Sequence, residues 1–127
     1  MQVEGNIPGV GCAKVEITGE RIISVTLTGA EKAELPFLSP GFVDIQVNGF
    51  AGVDFSAPDL DAEKALSALP ALWSTGATTL CPTLITNSLS ALGKNFAILE
   101  QAARLSSDFA HAVPFYHLEG PYISPLG

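Results

Sequence analysis

The hydropathy pattern of this chain changes period between Pro36 and Gly41, and that change limits the folds open to it. Before it, Gly11–Thr18 and Arg21–Thr28 alternate apolar and polar residues, with Val15 and Ile17 in one stretch and Ile22, Val25 and Leu27 in the other. Gly19-Glu20 between them reads as a tight turn, so the pair predicts a hairpin in a small antiparallel β unit. After Pro40-Gly41 the chain alternates strands with helices: Phe42–Val47 and Thr78–Leu84 read as buried strands and Ala112–Leu118 as a third. Asp59–Thr75 reads as a helix with an acidic first turn and Gly76 as its stop, and Pro70 inside it predicts a kink or an early end. Ser88–Ser106 reads as a second helix, capped by Asn87 or Ser88, with Leu92, Phe96, Leu99 and Ala103 forming an apolar stripe. The order β-α-β-α-β means parallel strands with right-handed crossovers, an α/β fold.

Composition narrows the function classes. With 47% hydrophobic and 15% charged residues, the 127-residue chain is too apolar for disorder, and it implies either a homo-oligomer or part of something larger. Six Lys and Arg against thirteen Asp and Glu, a net charge of -7, cannot neutralise a row of phosphates, so nucleic acid is excluded as a partner. No apolar run reaches the ~18 residues of a membrane span, and Met1-Gln2-Val3-Glu4 does not begin a signal peptide. The expected location is the cytoplasm, where Cys12 and Cys81 would be reduced, buried thiols.

Period-two alternation then places chemistry-bearing residues together. Asp44, Gln46 and Asn48 share one face of the first strand, opposite Val43, Ile45 and Val47, which are expected to pack on helices. Polar groups on a buried strand cost ~1–3 kcal/mol each unless satisfied, so this face is a hydrogen-bonded plug, a solvated edge or part of a site. The second strand divides into Thr78, Leu80, Pro82 and Leu84 against Thr79, Cys81 and Thr83, and its hydroxyls are accounted for by local hydrogen bonds. The third puts Phe115, His117 and Glu119 on one face, just before Gly120-Pro121. No basic residue is close to Glu119 in sequence, and an unpaired buried carboxylate is disfavoured, which points to a metal or a distant partner. His117 reads as a satisfied core or supporting histidine in preference to a metal ligand. Polar faces at the C-terminal ends of three parallel strands suggest a metal or carbohydrate-type site.

The same residues carry a family likeness. Leu38-Ser39-Pro40-Gly41-Phe42-Val43-Asp44-Ile45-Gln46-Val47-Asn48-Gly49, followed by Gly52-Val53-Asp54-Phe55, resembles the first barrel strand of N-acetylglucosamine-6-phosphate deacetylases. Gly76-Ala77-Thr78-Thr79 with Pro82-Thr83 resembles that family's second strand, and His117-Leu118-Glu119-Gly120-Pro121 its third. The resemblance implies a partial (β/α)8 TIM-type barrel, its first three βα units, with residues 38–127 in the barrel and residues 1–37 in part of the small β-sandwich domain of amidohydrolases. It also implies hydrolysis of the acetamide of a phosphorylated amino sugar, with one divalent ion, zinc or another transition metal, activating water.

Residue by residue, Glu119 matches the family's glutamate metal ligand. Gln46 and Asn48 match two positions where many amidohydrolases have histidines, with His117 near them. Amides bind divalent ions less well than imidazole, so Gln46 is expected near the metal-bound water and not on the metal. Two further histidine ligands and an aspartate general base are expected from later strands, so no catalytic group is expected within this chain and the metal is not expected to be fully bound by it. A (β/α)8 barrel takes about 250 residues, and the chain reads as the N-terminal part of an enzyme, inactive alone. Two alternatives stay open: another amide hydrolase of the same superfamily, and a non-catalytic half-barrel assembly module.

Overall fold

The alternating stretches before Pro36 pair as the periodicity predicts, and a strand ahead of them joins the sheet. In a computed structural model that describes residues 1–120, 122–124 and 126, the first 40 residues contain strands β1 (Gln2–Ile7), β2 (Gly11–Thr18) and β3 (Arg21–Gly29), antiparallel in the order β1-β2-β3. Pro121, the last residue of the strand motif singled out above, lies outside the described residues. β1 contains Gly5 and Asn6, poor strand formers that hide it from a propensity reading. Asn6 is nevertheless buried, and its side chain ties the following segment to the sheet: Nδ2 donates to the carbonyls of Lys32 and Leu35, and Oδ1 accepts from the Lys32 N–H at 2.9 Å. The apolar face of this sheet is open, with Val3, Val15, Ile17, Ile22, Val25 and Leu38 among the residues lining a groove of about 370 Å³.

Met1–Pro40 and Gly41–Gly127 are two compact units. The second holds a parallel sheet in the order β4-β7-β8, formed by β4 (Phe42–Val47), β7 (Ala77–Leu84) and β8 (His117–Leu118). A hairpin of β5 (Gly49–Phe50) and β6 (Val53–Asp54) follows β4 directly. The central strand β7 contains Pro82, which has no N–H to give the ladder. There the register slips: Asp44 pairs with Leu80 but Val47 with Pro82, so β4 carries the extra residue of a bulge.

Helix α1 spans Ala62–Trp73, shorter at both ends than the acidic pattern suggested. Asp61 lies outside it as the cap, accepting from the Lys64 N–H at 2.8 Å, and Asp59 pairs with Lys64 Nζ instead of entering the first turn. Pro70 does not end the helix. It lies on the exposed side near the C-terminus, where one missing bond is outweighed by burial of Ala65, Ala68, Leu69 and Leu72. The chain turns out through Gly76 at φ +88, a left-handed conformation that suits glycine.

Helix α2 spans Leu89–Leu105 with Ser88 as cap, its Oγ accepting from the Ala91 N–H. Leu92 and Leu99 of the expected stripe are buried, while Phe96 and Ala103 pack at the margin of the core. Ala112–Leu118 is not one strand. Helix α3 (Ser107–Ala112), started by Ser106 Oγ accepting from the Phe109 N–H, takes only its first residue, residues 113–116 are in neither helix nor strand, and β8 is only two residues long. Pro114 lacks a donor and disfavours pairing just before β8. Tyr116, between the two elements, packs its ring 5.8 Å from that of Phe96, and burial together with the Glu100 carboxylate pushes its hydroxyl up to about 12.

The core of the second unit lies between the sheet and the helices, with Phe55, Leu80, Leu84, Leu99 and Phe109 fully buried. The expected helix-facing side of β4 is covered only at its end: Val47 is buried, but Val43 and Ile45 are 62% and 64% exposed, because no described element lies over them. Among the described residues, no helix is long and apolar enough to cross a membrane.

The β5–β6 hairpin turns through Ala51 at φ +51 and Gly52 at φ +86. Two positive φ angles make a turn that favours Asn-Gly, and alanine is disfavoured at its first position by roughly 1 kcal/mol. Ala51→Asn is expected to raise stability by about 0.5–1 kcal/mol, read as a higher urea midpoint at unchanged slope; an unchanged or lower midpoint would contradict the strain.

Candidate functional site

Side chains from the two outer strands meet across the face of β7. Gln46 and Asn48, two residues apart on and just after β4, point to the same side, and Glu119 follows β8. Gln46 Nε2 donates to Glu119 Oε2 at 2.9 Å and Asn48 Nδ2 donates to the same oxygen at 3.3 Å. A carboxylate oxygen only accepts here, which fixes both amides with their N–H groups toward Glu119. The second oxygen, Oε1, has no hydrogen-bond partner among the described residues. All three side chains of the sequence-derived cluster are therefore in contact.

The backbone of Glu119 is held as firmly as its side chain. Its N–H donates to the Leu84 carbonyl at 2.9 Å, extending the β7–β8 pairing by one residue, and its carbonyl accepts from Thr86 Oγ1 at 3.1 Å. Gly120 follows at φ +101, and a Cβ there would stand 2.1 Å from Thr86 Oγ1. Only glycine lets the chain turn at that point without displacing the threonine that holds Glu119.

His117 also bridges the outer strands: its Nδ1 lies 2.8 Å from the Ile45 carbonyl. A carbonyl cannot donate, so Nδ1 carries the proton of this contact. His117 is thus a positioned histidine tied to the strand that carries Gln46. Asp44, the third polar residue on β4, accepts from the Gln46 N–H at 3.1 Å and does not join the Glu119 cluster. It lies beside Cys81 instead; burial first and the Asp44 carboxylate second push that thiol above its ordinary value. Cys12 and Cys81 are both unpaired and buried.

The sequence reading missed a buried polar residue that holds the loop after β6, Asn95 on α2. It is buried and donates to the carbonyls of Phe55 and Ala57. Its signal was an asparagine midway between Leu92 and Leu99 on the apolar side of a helix.

The donor set bears directly on metal binding. Among the described residues, no three His, Cys, Asp or Glu side chains are grouped so that they could hold an ion. A transition metal site needs about three or four protein donors. Glu119 and His117 supply two at most, so the described residues form no such donor set among themselves.

No protein-family model matches the chain. By sequence it is similar to N-acetylglucosamine-6-phosphate deacetylase of Bos taurus, 42% identical over 90 residues that cover 68% of this chain and 21% of that protein. The enzyme of the same name from Homo sapiens is 39% identical over 89 residues, with the same two coverages of 68% and 21%. The chain spans about a fifth of the length of these curated relatives.

By structure it is similar to N-acetylglucosamine-6-phosphate deacetylase of Thermotoga maritima, at a TM-score of 0.77 and 28% identity, covering 99% of this chain and 34% of that one. A variant of the Mycobacterium smegmatis enzyme in complex with N-acetyl-D-glucosamine-6-phosphate gives a TM-score of 0.70 and 30% identity, covering 91% and 30% of the two chains. Sequence and fold converge on one family, and the chain resembles a segment of N-acetylglucosamine-6-phosphate deacetylases.

Proposed function

We propose that a protein carrying this segment hydrolyses the acetamide of N-acetylglucosamine 6-phosphate to glucosamine 6-phosphate and acetate, with the help of a divalent ion. The observation that supports it is the convergence of Gln46 and Asn48 on one oxygen of Glu119 at the ends of parallel strands, in a chain whose relatives bear that enzyme's name. In this reading the parallel unit is the first three βα units of a (β/α)8 barrel. The sheet of Met1–Pro40, apolar and open on one face, is part of a β-sandwich.

The roles of this chain's residues follow from their contacts. Gln46 and Asn48 fix the direction of the Glu119 carboxylate, and Oε1 is the atom it offers. His117 keeps its proton on Nδ1 through Ile45 and holds the outer strands in register. Glu119 is the one of these residues that would serve a metal. Its donor set is too small alone, so turnover requires residues outside this chain and no reaction step is assigned within it.

The test is acetate release by the full-length protein from N-acetylglucosamine 6-phosphate, compared with the unphosphorylated sugar and with a cyclic amide. Preference for the phosphorylated sugar, loss of turnover with a chelator and no turnover by the 127-residue chain are the expected results. Preference for either other substrate, or turnover by the isolated chain, would overturn the reading.

A further inference from the structure

The hairpin that follows Asn48 is held from the helix layer. Asn95 is 4% exposed, one turn from Leu92 and from Leu99 on the apolar side of α2. A buried amide in that position is costly unless it is satisfied. Its partners belong to another segment: Nδ2 donates to the Phe55 carbonyl at 2.9 Å and to the Ala57 carbonyl at 3.1 Å, so both amide protons are used on one loop. Phe55 in turn donates its own N–H to the Asn48 carbonyl at 3.0 Å, with its ring fully buried. Asn48 then reaches Glu119.

Other bonds fasten the same loop. Ile85 N–H donates to Ser56 Oγ at 3.0 Å, and Lys94 Nζ, beside Asn95 on α2, donates to the Pro58 carbonyl at 2.6 Å. Of these, only the Asn95 bond acts on the residue that touches Asn48.

We propose that Asn95 is a positioning residue for the Glu119 cluster: through Phe55 it fixes the backbone of Asn48 and thereby one of the two amides that aim the carboxylate. The activity arm of its test rests on the deacetylase reading; the exchange arm does not. In the full-length protein, Asn95→Leu and the milder Asn95→Ser, which leaves room for a bridging water, are expected to lower kcat about 10-fold, the lower end for a residue supporting a site ligand. KM should change little. The double variant Asn95→Ser with Asn48→Ala should be no slower than Asn48→Ala alone, because both substitutions break the same path. A purely structural asparagine would give multiplying effects or a folded variant of unchanged kcat, and either result overturns the proposal.

Amide hydrogen exchange on the full-length protein provides the second measurement. Asn95→Ser should speed exchange at Phe55 about 10-fold or more, with β1–β3 unchanged, since the bond to Asn48 loses its support. Unchanged exchange at Phe55 overturns the proposal, whatever the activity. Should the unsubstituted full-length protein release no acetate, the deacetylase reading fails and the exchange result alone decides Asn95.

Discussion

Glu119→Gln in a full-length protein carrying this segment is expected to lower hydrolysis of N-acetylglucosamine 6-phosphate by about 10²–10³-fold, the scale set by removing one preorganised charge-stabilising group at a reacting centre. The substitution keeps shape and volume and removes the charge. It also turns one oxygen into an N–H donor: the amide oxygen that remains can still accept from Gln46 and Asn48, which both donate to Oε2, so the donor replaces the acceptor at Oε1. Stability should change by less, since Glu119 is only partly buried and its backbone bonds to Leu84 and Thr86 remain. The loss should therefore appear in kcat/KM with the thermal midpoint nearly unchanged. Activity within about threefold of the parent would remove Glu119 from the chemistry, because a group at the reacting centre costs far more when lost.

Phe109→Ala carries the largest expected cost in stability, about 3–5 kcal/mol. The ring is 1% exposed, on a helix that packs against both α2 and β7. Removing it leaves a void that a six-residue helix anchored by a single cap cannot close by moving without giving up that anchor. Urea unfolding of the chain should show the midpoint shift. A cost under about 1 kcal/mol would mean that α3 is not part of the cooperative core.

Phe109 also marks where the sequence was hardest to read. Period-two alternation sufficed for β4 and for the β2–β3 hairpin, and a serine at the right place sufficed for the start of α2. The segment after Leu105 failed on both counts. Its six-residue helix is too short to show an apolar period, and its cap, Ser106, also caps the C-terminal end of the preceding helix. β8 shortened to two residues for a different reason, the lost donor of Pro114. The β5–β6 hairpin was invisible because Ala51 occupies a turn position that usually announces itself with Asn or Asp.

The site was more legible than the fold around it. Residues two apart share a face of a strand whatever the strand's length, so Gln46, Asn48 and Glu119 could be placed together before any contact was known. Asp44 obeys the same rule yet does not join the cluster: its carboxylate accepts from the Gln46 N–H instead. Asn95 lay beyond such a rule. Its partners are about forty residues away, at separations of 40 and 38, and only packing brings them together.

That separation has a kinetic consequence, larger still for the bonds that cross the sheet. Gln46 and Asn48 lie 73 and 71 residues from Glu119, and Ile45 lies 72 from His117. Closing a loop of that length costs entropy before any bond repays it. β4, α1 and β7 can assemble from nearer contacts, but the cluster must wait for the last strand to dock. During synthesis the amides of Gln46 and Asn48 face water until Glu119 has left the ribosome, so the site is among the last parts of this segment to exist.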